Sequence, residues 1–146
     1  MAGPAPSAQP EARSILVVDD DPVFAGVVED ILKAEGYRVS TATSGLTALE
    51  RVGAAPFDLI LIDIRMPELD GPGFFRELQR RDPELARRVM FMTGGAVEPD
   101  VAELLFSLRV PYLRKPLAVD ELRKTVRRFF LAARSFPGFR KPGERG

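Results

Sequence analysis

Short apolar runs alternate along this chain with stretches whose apolar positions recur every three or four residues. That alternation predicts the elements before any single residue is considered. Ile15-Leu16-Val17-Val18 and Leu59-Ile60-Leu61-Ile62 are uninterrupted, branched and uncharged, as expected of strands buried on both faces of a parallel sheet. After the first run, Val23, Val27, Val28, Ile31 and Leu32 form a stripe at helical spacing. Asp21 is placed to cap that helix, Pro22 to fill its first position and Gly36 to end it. The same reading predicts strands over 37–41, 59–63, 89–92 and 112–114, and helices over 44–52, 72–80 and 100–108. Residues 66–71 read as a loop, and Leu122, Val126, Phe129 and Phe130 as the buried stripe of a last helix. Strands alternating with helices in this way predict an α/β fold, an open doubly wound five-stranded parallel sheet with helices on both faces.

At 146 residues, 45% of them apolar and 29% charged, the chain has room for one domain with a full core and not for two ordinary ones. Residues 1–12 are mostly Ala, Pro, Gly and Ser and read as a disordered lead-in. Residues 134–146, with Phe136-Pro137-Gly138-Phe139, read as a flexible tail, leaving 13–133 as the domain. Basic and acidic residues balance at 21 each, so no nucleic-acid partner is expected from bulk charge. No run reaches the length of a membrane span and no charged-then-apolar leader opens the chain, so no membrane partner and a cytoplasmic location are expected. The chain holds no cysteine and no histidine. The first absence excludes disulfides, thiolate zinc sites and cysteine nucleophiles. The second excludes a serine–histidine hydrolase and a phosphohistidine of its own.

The chemistry gathers where strands end. Asp19 and Asp20 follow the first strand, Asp63 closes the third, Thr93 follows the fourth and Lys115 the fifth. In an open parallel sheet these positions share the carboxyl edge, where such folds bind their ligands. Three carboxylates with a hydroxyl and an ammonium suit Mg²⁺, with Mn²⁺ as the alternative ion. The cation would offset a repulsion that otherwise raises at least one carboxylate pKa. One carboxylate is then free to attack phosphorus, while the lysine offers a compact charge and the threonine a hydroxyl to the phosphoryl oxygens.

Four segments occur in order: Val17-Val18-Asp19-Asp20-Asp21-Pro22, then Asp63-Ile64-Arg65-Met66-Pro67 with Asp70-Gly71, then Met92-Thr93-Gly94, then Tyr112-Leu113-Arg114-Lys115-Pro116. By these the chain resembles a receiver domain of the two-component response regulators, similar to the single-domain chemotaxis type, over residues 14–133. The resemblance implies a flavodoxin-like strand order 2-1-3-4-5, with Asp63 as phosphoacceptor. It implies that Asp20 and Asp63 ligate Mg²⁺ directly, Asp19 through water, and the backbone carbonyl of Arg65 as a further ligand. It also implies that Thr93 and Lys115 hold the phosphoryl group, that the Lys115-Pro116 bond is cis, and that Tyr112 is an aromatic switch coupled to Thr93. The donor would be a histidine kinase or phosphotransfer protein acting in trans. The downstream target would be a protein reading the face of the fourth helix, fifth strand and fifth helix. Arg65 would reach over the pocket mouth, and Gly94 with Gly95 would leave the opposite wall open.

Other readings compete residue by residue. Asp21 is explained as a helix cap, and Arg123, Lys124, Arg127 and Arg128 as the solvated face of the last helix. A phosphatase of the haloacid-dehalogenase type wants a second aspartate two residues after its nucleophile, where this chain has Arg65. No G-x-x-x-x-G-K-[ST] or G-x-G-x-x-G is present for a nucleotide. Two alternatives stand beside the phosphoryl-accepting switch: a receiver-fold docking module that works without phosphorylation, and the receiver of a hybrid histidine kinase.

Overall fold

The computed structural model describes residues 12–94 and 99–133. Residues 1–11 of the lead-in over 1–12, the tail over 134–146 and Gly95 lie outside the described residues. The described chain runs β1 (Ser14–Val18), α1 (Pro22–Ala34), β2 (Arg38–Ala42), α2 (Gly45–Ala54), β3 (Leu59–Asp63), α3 (Gly71–Arg81), α4 (Pro83–Ala86), β4 (Val89–Gly94), α5 (Pro99–Leu108), β5 (Tyr112–Lys115) and α6 (Val119–Ala133). All strand pairs are parallel and the order is β2-β1-β3-β4-β5.

The apolar runs divide by alternation, because successive side chains of a strand point to opposite faces. Leu16, Val18, Ile60, Ile62, Val89 and Phe91 pack with Leu49, Phe74, Leu78, Leu85 and Leu105 from α2, α3, α4 and α5. Ile15, Val17, Leu59, Leu61, Met90 and Met92 pack with Ala25, Val28 and Leu32 of α1 and Leu122, Val126 and Phe130 of α6. Every residue of β3 is buried, which is why its sequence is apolar without interruption until Asp63.

Two local expectations are corrected. Val23 and Val27 are not on the buried stripe of α1; they are 75% and 51% exposed. The face that packs is Phe24, Ala25, Val28, Ile31 and Leu32, turned about one residue from the row of valines. The short α4 is absent from the sequence reading. Asp82-Pro83 starts it as Asp21-Pro22 starts α1, and the Asp82 side chain accepts from the Leu85 N–H at 3.2 Å. One turn is too short to show a periodic stripe.

Helix ends follow the residue chemistry. Asp21 Oδ1 accepts from the N–H groups of Val23 and Phe24, at 3.0 and 3.3 Å. Gly36 takes φ +97° just past the end of α1, a conformation that costs a residue with a Cβ more.

At the amino edge of the sheet, Asp58 is buried and ties β3 to β1: its Oδ2 accepts from the Ser14 N–H at 2.8 Å. Arg88 lies 3.9 Å from its other oxygen. Asp58→Ala removes the acceptor of the part-buried Ser14 N–H and is expected to cost about 2 kcal/mol, read as a lower urea midpoint at unchanged slope. Because the residue lies at the edge opposite Asp63, chemistry at the carboxyl edge is expected to continue.

Candidate functional site

Parallel pairing brings the ends of β1, β3, β4 and β5 to one rim. Val18 pairs with Ile62, Asp63 with Met92 and Gly94 with Lys115, so residues far apart in sequence come level. Asp19, Asp20 and Asp63 each place a carboxylate oxygen within 4.8 Å of the others. Lys115 Nζ donates to Asp19 Oδ2 at 2.6 Å and lies 3.4 Å from Asp63 Oδ2. Thr93 is buried one residue beyond the partner of Asp63. The Lys115-Pro116 peptide bond is cis.

The three acidic positions differ in kind. Asp19 is almost completely buried, and both its oxygens are engaged, Oδ1 by the Asp21 N–H at 2.9 Å and Oδ2 by Lys115. Asp20 is exposed at the mouth. Asp63 lies between them in depth. Its pKa is raised, by burial first and by the charge of Asp19, against the opposing pull of Lys115 and the Arg65 N–H. Lys115 has its pKa raised as well. Burial works against its charge, but the hydrogen bond to Asp19 and the charges of Asp63 and Asp19 more than offset that. The lysine is thus a fixed ammonium and not a base. Three carboxylates around one ammonium leave two negative charges over, and the oxygens that carry them are the donor type that Mg²⁺ prefers.

A close backbone approach sets the position of Asp63. The Gly71 N–H donates to the Ile64 carbonyl at 2.9 Å, and a Cβ at Gly71 would lie 2.7 Å from the Asp63 carbonyl oxygen. Gly71→Ala is therefore expected to cost roughly 1–3 kcal/mol by overpacking and to slow any chemistry at Asp63. Differential scanning calorimetry and a rate measurement on the same variant check both. On the opposite wall, a Cβ at Gly94 would meet Lys115 Cδ at 3.8 Å, an ordinary contact.

Tyr112 is outside the acidic cluster. It is 45% exposed on β5 and lines a groove with Leu105, Phe106 and Val110, where Phe106 is itself 85% exposed. The Arg65 side chain is exposed, and its N–H faces Asp63. The sequence reading did not single out Phe24, whose ring centroid lies 4.3 Å from Lys115 Nζ. The signal available was its spacing to Val28 and Ile31, which puts it on the inner face of α1 at the end nearest the rim.

A doubly wound parallel sheet with an acidic, lysine-bearing pocket at its carboxyl edge defines the class. A family model for the response regulator receiver domain matches residues 15–127. The transcriptional regulatory protein ZraR of Klebsiella oxytoca is 40% identical over 80% of this chain and 26% of its own length. The chemotaxis protein CheY4 of Vibrio cholerae superposes with a TM-score of 0.73 at 26% identity, covering 81% of this chain and 98% of that one. The response regulator TrrA of Thermotoga maritima, in complex with Mg²⁺ and BeF, gives 0.69 at 28% identity over 80% and 98%. The chain belongs to the response regulator receiver domain family. It spans about a quarter of the length of that ZraR protein, whose regulatory output is not carried over. Members of the family are phosphoryl-accepting switches of two-component signalling that bind Mg²⁺ at an acidic pocket and take their phosphate from histidine kinases or phosphotransfer proteins. Among the described residues no helix is long and apolar enough to cross a membrane.

Proposed function

We propose that Asp63 is the phosphoacceptor of this receiver and that Mg²⁺ is held by Asp20, Asp63 and the Arg65 carbonyl, with Asp19 acting through water. The observation that carries the reading is the two negative charges left over where Asp19, Asp20 and Asp63 meet, with Lys115 paired to Asp19 and Asp63 as the one cation against them. A divalent cation neutralises them. Asp19 suits the outer position because both its oxygens already accept hydrogen bonds. Mn²⁺ meets the same donor set.

In the transfer, a carboxylate oxygen of Asp63 attacks phosphorus in line while the P–N bond to a donor imidazole breaks. The imidazole leaves with the bonding pair and takes a proton from solvent, and an acyl phosphate remains on Asp63. The ion's contribution is to draw negative charge from the transferring phosphoryl oxygens. Lys115 moves its ammonium from Asp19 toward one of those oxygens, and the Thr93 hydroxyl donates to another. Burial of Asp63 serves this chemistry, since a carboxylate poor in water is a better nucleophile toward a neutralised phosphoryl group.

Thr93 and Tyr112 form the switch in this reading. The first senses the phosphate inside the rim, and the second presents a half-exposed ring to the groove beside Phe106. The output surface is then α5, β5 and α6, read by a downstream protein, and the domain proper is 13–133. Incubation with acetyl phosphate and Mg²⁺, followed by mass mapping, is expected to add one base-labile, hydroxylamine-sensitive phosphoryl group to the peptide carrying Asp63. A label elsewhere, or none, removes the reading and leaves the phosphorylation-independent docking module in its place.

A further inference from the structure

The ammonium of Lys115 has a third neighbour besides its two carboxylates. Its Nζ lies 4.3 Å from the centroid of the Phe24 ring, inside the distance at which a cation is drawn to the electron-rich face of an aromatic. The same nitrogen is 2.6 Å from Asp19 Oδ2 and 3.4 Å from Asp63 Oδ2. We propose that Phe24 is a positioning residue for Lys115: its ring holds the ammonium over the pocket and so sets the rate at which Asp63 accepts phosphate. The proposal rests on the phosphoacceptor reading above and adds to it a residue that ligates nothing.

Phe24 is anchored from two sides. Its N–H donates to the Asp21 cap at 3.3 Å, and its side chain packs against the core layer between the sheet, α1 and α6. Lys115 is not anchored in that way. Its stem has four rotatable carbons, and an unrestrained lysine loses considerable rotamer freedom when it is fixed. Ion pairing to Asp19 alone would restrain it in the wrong place, because the phosphoryl oxygens arrive at Asp63 and not at Asp19. A ring face attracts a cation without demanding a hydrogen-bond direction. The ammonium can therefore slide from Asp19 toward the phosphoryl group while keeping the ring beneath it. The ring also excludes water from one side of the lysine, which strengthens every charge contact it makes.

The discriminating experiment keeps the ring's volume and drains its electrons. Phe24 is replaced by 4-fluoro-, 3,5-difluoro- and 3,4,5-trifluorophenylalanine, alongside Phe24→Leu and Phe24→Trp. Two quantities are read: the initial rate of phosphorylation from acetyl phosphate at saturating Mg²⁺, and, without metal or donor, the ¹H and ¹³C shifts of the Lys115 ε-methylene. The rate is expected to fall stepwise with fluorine count and about fivefold in Phe24→Leu, with Phe24→Trp near the parent, as a partly desolvated cation–aromatic pair implies. The methylene shift, displaced by the ring current in the parent, is expected to relax in Phe24→Leu. A flat rate across the fluorinated series together with an unmoved methylene shift overturns the proposal, since packing alone is blind to fluorine count. A flat rate with a relaxed shift overturns it too, because the contact would then have no consequence for phosphate uptake. Should the parent take up no phosphate, the phosphoacceptor reading fails and the rate-setting claim falls with it, while the shift in Phe24→Leu still reports whether the ring holds the lysine.

Discussion

Asp63→Asn is expected to abolish phosphorylation outright and, in metal-free buffer, to raise the unfolding temperature. The first effect follows because an amide nitrogen or oxygen does not replace the carboxylate as nucleophile. The second follows from burial, which together with the charge of Asp19 raises the Asp63 pKa against the pull of Lys115. A carboxyl whose folded pKa lies above its unfolded value binds its proton more tightly in the native state. Its favourable contribution is full below the ordinary value of 3.8 and is lost as pH rises through the folded value. At neutral pH the ionised group is thus a net cost, which Asn removes without changing shape. A gain of about 1 kcal/mol, in the range for the desolvation cost of a buried polar group, corresponds to roughly 4 °C at this chain length. The gap between parent and variant should narrow as the pH is lowered toward 3.8. Added Mg²⁺ should narrow it from the other direction, because an ion at ten times its dissociation constant stabilises the parent by about 1.4 kcal/mol. Thermal scans at several pH values, with and without Mg²⁺, test this. A variant less stable than the parent in metal-free neutral buffer would contradict the crowded acidic rim.

How much of this was legible beforehand depended on whether a residue's neighbours in sequence were also its neighbours in space. β3 could be read to its last residue, because it is buried on both faces and both faces ask for branched apolar side chains. The strand order and the meeting of Asp19 with Lys115 across 96 positions came through the receiver motif and the rule that parallel strands share a carboxyl edge. The valines of α1 misled, because Val23 and Val27 are apolar yet turned to solvent, where composition gives no warning. The one-turn α4 had a start signal and no period. Asp58 was not singled out, because in the sequence it is one more acidic residue ahead of a strand, and only the fold puts Ser14 and Arg88 around it. The contact of Phe24 with Lys115 was hidden for the same reason. It joins the first turn of one helix to the end of the last strand, and neither residue hints at the other.

Asp20→Ala is expected to weaken Mg²⁺ binding at least tenfold, a loss of about 1.4 kcal/mol in binding energy, and to remove most phosphorylation at subsaturating Mg²⁺. The fold should stay intact, because the side chain is exposed and packs against nothing in the core. That separates it from Asp19, whose carboxylate organises the Asp21 N–H and Lys115 and whose loss would disturb the rim itself. It also separates it from Asp63, which in the proposed function is the nucleophile as well as a ligand. Mg²⁺ relies on one or two protein carboxylates and keeps several waters, so deleting the exposed one leaves the ion too little to hold. In metal-free buffer the variant should unfold within about 0.5 kcal/mol of the parent, as expected of an exposed side chain outside the core, and on the stable side, since two carboxylates repel less than three. Titration calorimetry with Mg²⁺ and time-resolved mass measurement with acetyl phosphate give the two numbers. Raising Mg²⁺ should restore part of the rate if Asp20 acts only by holding the ion. Full-rate labelling in the variant at low Mg²⁺ would show that the ion, if needed at all, is held by other residues.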